Sequence, residues 1–261
     1  MRIPFQKYHG TGNDFILIDN RKEEYNHLSK KQITMFCDRH FGIGADGLML
    51  LDNKEGFDFE MKYYNADGAE GSMCGNGARC IIEFASNIGI RKSTYHFLAF
   101  DGEHDGEIDA DGHVKLKMKD VDKVEAHSNH FIIDTGSPHF VKYTSDLRKV
   151  DVKNTGNTIR YSKDFAEKGI NVNFIESIDE DEIFVRTYER GVEDETLSCG
   201  TGVTACALIA AHNDHGFNYV KVKTLGGNLS VEFDKKDDDH FENIWLIGPA
   251  TFVFKGEINI D

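Results

Sequence analysis

Two stretches of this chain alternate apolar and polar residues in the period-two pattern of half-buried strands: FEMKYYN (Phe59 to Asn65) and EIFVRTYE (Glu182 to Glu189). Shortly after each, the pattern changes. NGARCIIEFASNIG and TGVTACALIAAHNDHG carry small and apolar residues on most faces, which predicts two helices enclosed by other structure, with Gly89 and Gly216 as their C-terminal stops. Further strands follow each helix, separated by turn signals at DADG (Asp109 to Gly112) and FDKKDDD (Phe233 to Asp239). The acidic run Asp237 to Asp239 reads as a solvated hairpin tip.

These matching patterns are one unit written twice. YYNADGAEGSMCGNGA from Tyr63 aligns without gaps on YERGVEDETLSCGTGV from Tyr188, so that Tyr63 falls on Tyr188, Glu70 on Glu195 and Cys74 on Cys199, a constant offset of 125 residues. At the same offset GADGLMLL from Gly44 matches GINVNFIE from Gly169 in pattern, and TGND from Thr11 lies close to that offset from TGSP at Thr135. The expected fold is α+β: two duplicated, pseudo-symmetric domains over residues 1–120 and 121–249, each β-rich and wrapped on a central helix.

Composition narrows the function. Of 261 residues, 39% are hydrophobic and 29% charged with three prolines, an ordinary globular balance. The net charge of -15 opposes binding to nucleic-acid phosphates. The opening MRIPFQKYHGTGNDF has no apolar run of signal-peptide length, and nowhere do about 18 apolar residues occur in succession, so a cytoplasmic protein without membrane contact is expected. Five cysteines, Cys37, Cys74, Cys80, Cys199 and Cys206, are an odd set for a disulfide framework and read as thiols.

CGNG and CGTG each set a thiol immediately before a helix, with glycines that let a ligand approach the backbone. The positive end of the helix dipole favours the thiolate. The amides of Gly75, Asn76, Gly200 and Thr201 can hold a carboxylate. Inverting an amino acid at its α-carbon needs a base on one face and an acid on the other, and two thiols near neutrality can exchange these roles. A lone buried cysteine is more often a small hydrophobe; two at equivalent places of a duplication argue for chemistry, whereas Cys37, Cys80 and Cys206 read as packing residues. The pairs His127 with His130 and His212 with His215 have a spacing a metal could use but no third ligand, so no metal is expected.

The segments HGTGNDF (His9 to Phe15), RHFGIGADGL (Arg39 to Leu48), NADG-x-E-x-x-MCGNGARC (Asn65 to Cys80) and YERG-x-x-x-ET-x-x-CGTG (Tyr188 to Gly202), taken in order, resemble diaminopimelate epimerase across the whole chain. The resemblance implies interconversion of LL- and meso-2,6-diaminopimelate, in lysine and cell-wall precursor synthesis, without pyridoxal phosphate or metal, by a homodimer. It implies antiparallel barrel-like sheets around the central helices, a site in the cleft between domains, and return of the segment from Ala250 (250–261) to domain one. Cys74 and Cys199 match the catalytic cysteines, and the CGN and CGT amides the α-carboxylate site. Asn13, Asn65, Asn171 and Arg190 match residues that bind the distal end of the substrate. Glu189 and His139 match residues that tune the two thiols.

Two positions depart from the family's pattern. Ser137 stands where an asparagine is common, and Gly47 where some members carry glutamine. Other readings stay open: a two-cysteine racemase of the proline racemase kind or for another diamino acid, an isomerase of the phenazine-pathway kind, which does not use the cysteine pair, and a non-catalytic amino-acid-binding protein. If the thiols face one another, oxidation could join them and switch the enzyme off.

Overall fold

The computed structural model describes residues 2–71, 73–211 and 215–259. Two units emerge, Met1–Leu116 with Gly248–Asp261, and Lys117–Ile247. The first contains β1 (Arg2–Gly10), β2 (Asn13–Asp19), α1 (Lys30–Cys37), β3 (Gly47–Asp52), β4 (Phe59–Asn65), α2 (Gly75–Asn87), β5 (Thr94–Ala99), β6 (Gly102–Ile108) and β7 (Val114–Lys117). The second contains β8 (Val124–Ala126), β9 (Phe131–Asp134), β10 (Pro138–Tyr143), α3 (Val152–Arg160), β11 (Asn171–Asp179), β12 (Glu182–Glu189), β13 (Asp194–Thr196), α4 (Gly200–Ala210), β14 (Gly216–Thr224), β15 (Gly227–Lys235) and β16 (Phe241–Gly248). The last strand, β17 (Thr251–Asn259), pairs with β1 of the first unit, Arg2 opposite Asn259.

Strand order is the same in both units: β17-β1-β2-β3-β4-β5-β6-β7 in one and β8-β9-β10-β11-β12-β14-β15-β16 in the other. Each sheet is mainly antiparallel, with parallel joins at β2-β3 and β4-β5, and at β10-β11 and β12-β14. A parallel join needs a crossover, and each of the four α-helices among the described residues lies in one. The halves therefore hold a second, shorter helix, α1 or α3, beside the expected α2 or α4.

Covering both faces of a strand makes it apolar along its length rather than alternating. β3, GLMLLD, is buried throughout. Leu48 and Leu50 pack with Ile33 and Phe36 of α1, while a Cβ on Gly77 of α2 would meet Met49 and Phe15. In the second unit Val172, Phe174 and Tyr188 pack with Val152 of α3, and α4 lies against β10, β11, β12, β14 and β15. Burying each such aliphatic or aromatic side chain contributes about 1.5–3 kcal/mol.

Local signals set the helix ends. Ser29 and Gln32 form a reciprocal capping box on α1, and Asp151 caps α3 by accepting from the Asn154 amide at 3.1 Å. Gly89, at φ 103°, ends α2 in the left-handed conformation. Gly216 does not end α4. That helix stops at Ala210 because Ala211 is already extended, and Gly216, at φ 100°, opens β14 instead. Among the described residues no helix is long and apolar enough to cross a membrane.

Candidate active site

Both cysteines singled out by the duplication are helix N-caps with nearly the same extended backbone. Cys74 precedes α2 at φ -113°, ψ 126°, and Cys199 precedes α4 at φ -115°, ψ 114°. Neither thiol caps its own helix, so the first-turn amides, which have no acceptor within the helix ladder, stay directed at the helix end. Gly75, Asn76, Gly200 and Thr201 carry those amides. Each unit thus holds half of the expected constellation.

In the first unit Asn13 Oδ1 accepts from Cys74 Sγ at 3.5 Å and from Asn76 Nδ2 at 3.4 Å. The orientation of that amide follows from its other end, where Asn13 Nδ2 donates to Asp46 Oδ2 at 2.6 Å. Arg39 in turn grips Asp14 and Asp46, each at 2.7 Å, and buried Lys7 pairs with Asp14 at 2.8 Å. Burial alone would raise the Asp14 carboxyl, but the hydrogen bonds from Arg39 and Lys7 outweigh it and hold the group at about 2. Asn65 ends β4 with its side chain exposed, opposite Gly47 of β3. A Cβ at Gly47 would lie 2.4 Å from Tyr63 Cε2 and 2.9 Å from its hydroxyl, so the tyrosine occupies the space that a longer residue at 47 would need.

In the second unit Cys199 Sγ lies 3.6 Å from Thr201 Oγ1, and Thr135 Oγ1 anchors the Thr201 carbonyl at 2.8 Å. Glu189 ends β12 and accepts from Thr196 Oγ1 at 2.9 Å. Next to it, Asn171, Arg190 and Ser137 form one cluster. Asn171 Oδ1 accepts from the Arg190 amide at 2.9 Å, while Ser137 Oγ accepts from Asn171 Nδ2 at 2.9 Å and Arg190 Nη2 at 3.3 Å. The serine that departs from the family's pattern is therefore part of this polar group. Among the described residues Arg190 makes no ion pair, its Nη1 donating only to the Lys168 carbonyl at 3.1 Å.

His139 sits on β10, fully buried. Asn173 fixes its tautomer. The Phe140 carbonyl can only accept, so the Asn173 atom 3.0 Å from it is Nδ2, and the second hydrogen of that nitrogen points to His139 Nδ1, also at 3.0 Å. Thr187 Oγ1 donates to Asn173 Oδ1 at 2.9 Å and completes the set. Nδ1 is then an acceptor, the ring proton is on Nε2, and that nitrogen has no hydrogen-bond partner among the described residues. Burial, with the Arg190 charge adding to it, pulls the imidazole down to about 3, so it is a neutral N-H donor near neutrality.

The sequence assigned no site role to Asn173, Tyr63 or Asp46. Only Asn173 carried a signal, standing two residues from Asn171 in one strand and hence on the same face. The other three cysteines are buried, and burial pushes the Cys37 thiol to about 11 and those of Cys80 and Cys206 well above the usual thiol range. His127 and His130 stack at 4.4 Å, and His130 stacks again on Phe140 at 4.4 Å, a packing arrangement. His212 lies outside the described residues, among which no group of three or more His, Cys, Asp or Glu side chains is placed to hold a metal.

Residues 5–124 and 131–253, which include every residue of both half-sites, match the model of the family described as diaminopimelate epimerase. This chain belongs to the diaminopimelate epimerase family. It is 47% identical to the diaminopimelate epimerase of Flavobacterium psychrophilum, over 97% of this chain and 98% of that protein. Identity to the diaminopimelate epimerase of Chlorobaculum tepidum is 44%, over 96% and 99%. Solved structures share the fold at low identity: a Bacillus anthracis phenazine biosynthesis protein of the PhzF family, at TM-score 0.77 and 15% identity with both chains wholly covered, and a probable proline racemase from Agrobacterium radiobacter, at TM-score 0.67 and 13% identity over 99% of this chain and 93% of that one.

Proposed function

We propose that this member of the diaminopimelate epimerase family interconverts LL- and meso-2,6-diaminopimelate, with Cys74 and Cys199 as its two bases. The observation that carries the reading is the matched pair of thiols, each the N-cap of an equivalent helix in a duplicated fold. One thiolate takes the α-proton, and the other thiol delivers a proton to the opposite face. The first thiolate ends as thiol and the second thiol as thiolate, so the reverse reaction uses the same groups with roles exchanged.

The α-carboxylate is held by the amides of Gly75 and Asn76 and of Gly200 and Thr201, where dipole and N-H donors stabilise the charge that grows on it as the α-proton leaves. This division of labour needs neither pyridoxal phosphate nor metal. The cluster of Arg190, Asn171 and Ser137 supports a distal subsite: a guanidinium with no carboxylate partner among the described residues suits the far carboxylate of a diamino diacid, with Asn13 and Asn65 completing the contacts. Glu189 and the His139 Nε2-H act on the thiols, the imidazole as donor. A proline-type substrate gives no use for that cluster.

We place the reaction in lysine and cell-wall precursor synthesis in the cytoplasm, by a homodimer. Exposed Phe252, Val253 and Phe254 on β17 support a self-association surface, which sedimentation would test.

The deciding experiment is proton NMR of LL-diaminopimelate in heavy water with the wild type, Cys74→Ala and Cys199→Ala. Wild type should erase the α-proton signal and form the meso isomer, and either substitution should stop net epimerisation. An unchanged α-proton with bound substrate would identify a binding protein instead.

A further inference from the structure

Arg79 is fully buried in α2, a place where an arginine normally has a carboxylate beside it. Here Nη1 donates to the Gly75 carbonyl at 3.2 Å, Nη2 to Asn76 Oδ1 at 2.9 Å and to Thr11 Oγ1 at 3.5 Å, and Nε has no partner. Among the described residues no carboxylate pairs with it. Burial disfavours its charge and pulls the guanidinium down from its usual range, and the groups that work against that are the thiols of Cys80 and Cys74. Cys80 is fully buried, and burial pushes its thiol far above neutrality, so of these two thiols Cys74 is the one that can supply the opposite charge.

The connection is also geometric. By taking Asn76 Oδ1, Arg79 turns Asn76 Nδ2 outward, to the same Asn13 oxygen on which Cys74 Sγ rests. The remaining charged groups nearby are otherwise engaged. Asp14 of β2 is held by Arg39 and by Lys7 of β1, and Glu83 of α2 accepts from Asn87, which also reaches Tyr8 of β1. β3 and β6 meet α2 through Met49 and Gly106, which are uncharged.

The duplication supplies the control. The residue 125 positions after Arg79 is Thr204, also fully buried, whose Oγ1 donates to the Gly200 carbonyl at 3.0 Å, the counterpart of Gly75. A neutral threonine thus satisfies the same helix carbonyl, so satisfying it does not require the positive charge found in the first unit. We propose that Arg79 is a positioning residue whose buried charge is the counter-charge of a Cys74 thiolate, making Cys74 the resting base and leaving Cys199, with Thr204 in its helix, the resting acid.

This rests on the two-thiol reading, but its test uses no substrate, so inactivity toward diaminopimelate would not be mistaken for its failure. Reduced full-length protein is pulsed with iodoacetamide across a pH series; the thiolate sulfur displaces iodide, and peptide mass spectrometry reads Cys74 and Cys199 separately, each normalised to its plateau. In the wild type Cys74 should reach half-maximal labelling at a lower pH than Cys199. Arg79→Leu should slow Cys74 labelling about tenfold at neutral pH and leave Cys199 unchanged, while Arg79→Lys keeps most of the wild-type rate. Unchanged Cys74 labelling in a folded Arg79→Leu protein would overturn the proposal, and so would a wild type in which Cys199 titrates first, a comparison that stands even if the leucine variant does not fold.

Discussion

The Asn173 amide leaves His139 a donor at Nε2 and an acceptor at Nδ1, and burial keeps the ring neutral down to about 3. This has a consequence for stability. An unfolded histidine takes up a proton near 6.5. The folded one does not, so the unfolded state binds more protons between those values and stability falls as pH is lowered through that window, by about 1.4 kcal/mol per unit at most. Denaturant titrations at pH 7 and 5 should therefore show a loss of about 2 kcal/mol from this group in the wild type that is missing from His139→Gln. Equal losses in both proteins would mean that the ring is already protonated when folded.

Two helix glycines with different surroundings make the case at the scale of elements. A Cβ on Gly156 of α3 would fall 2.3 Å from Tyr188 Cβ, a position near the backbone of β12 that cannot move away. On Gly77 of α2 it would fall 2.1 Å from Met49 Cε, the end of a flexible chain. Gly156→Ala should cost about 1–3 kcal/mol by pushing α3 off the sheet, whereas in Gly77→Ala the gain in helix propensity, about 1 kcal/mol, offsets the shift of Met49; thermal unfolding of both variants checks this. The same packing explains what could be read in advance. α2 and α4 announced themselves through small and apolar residues beside the cysteines. α3 did not: it combines Gly156 with β-branched Val152, Thr155, Thr158 and Ile159, a poor helix by propensity that tertiary contact carries. The Ser29-Gln32 box of α1 was legible and overlooked. His139 was legible as chemistry but not as a strand residue, because the preceding Ser137-Pro138 resembles a turn. Arg79 was invisible as an electrostatic group, since nothing local says that its carboxylate is missing.

Across the whole molecule, the first unit is the second with its opening strand moved to the other end of the chain. β8 and β9 form a hairpin in sequence, while β17 and β1, in the same places, are separated by nearly the whole protein. Most of β17 is exposed, so its own pattern gave no hint of where it docks; the register with β1 does that. Because Asn259 lies opposite Arg2, a permutant that carries Gly248–Asn259 ahead of Arg2 through a tight turn of about two residues should fold and keep its activity. Removing 249–261 from the natural chain should expose β1 amides to hydrogen exchange while those of β11 and β12 stay protected.

Synthesis runs from the N-terminus, and domains that are contiguous usually fold in the order in which they leave the ribosome. This chain reverses that order. The second unit has its strands once residue 248 has emerged, but β1, already paired with β2, still waits for its other neighbour β17, which follows at Thr251–Asn259. Until β17 has emerged, Ile3 and Phe5 belong to a sheet without its terminal strand, so of the two halves the one translated first is the one finished last.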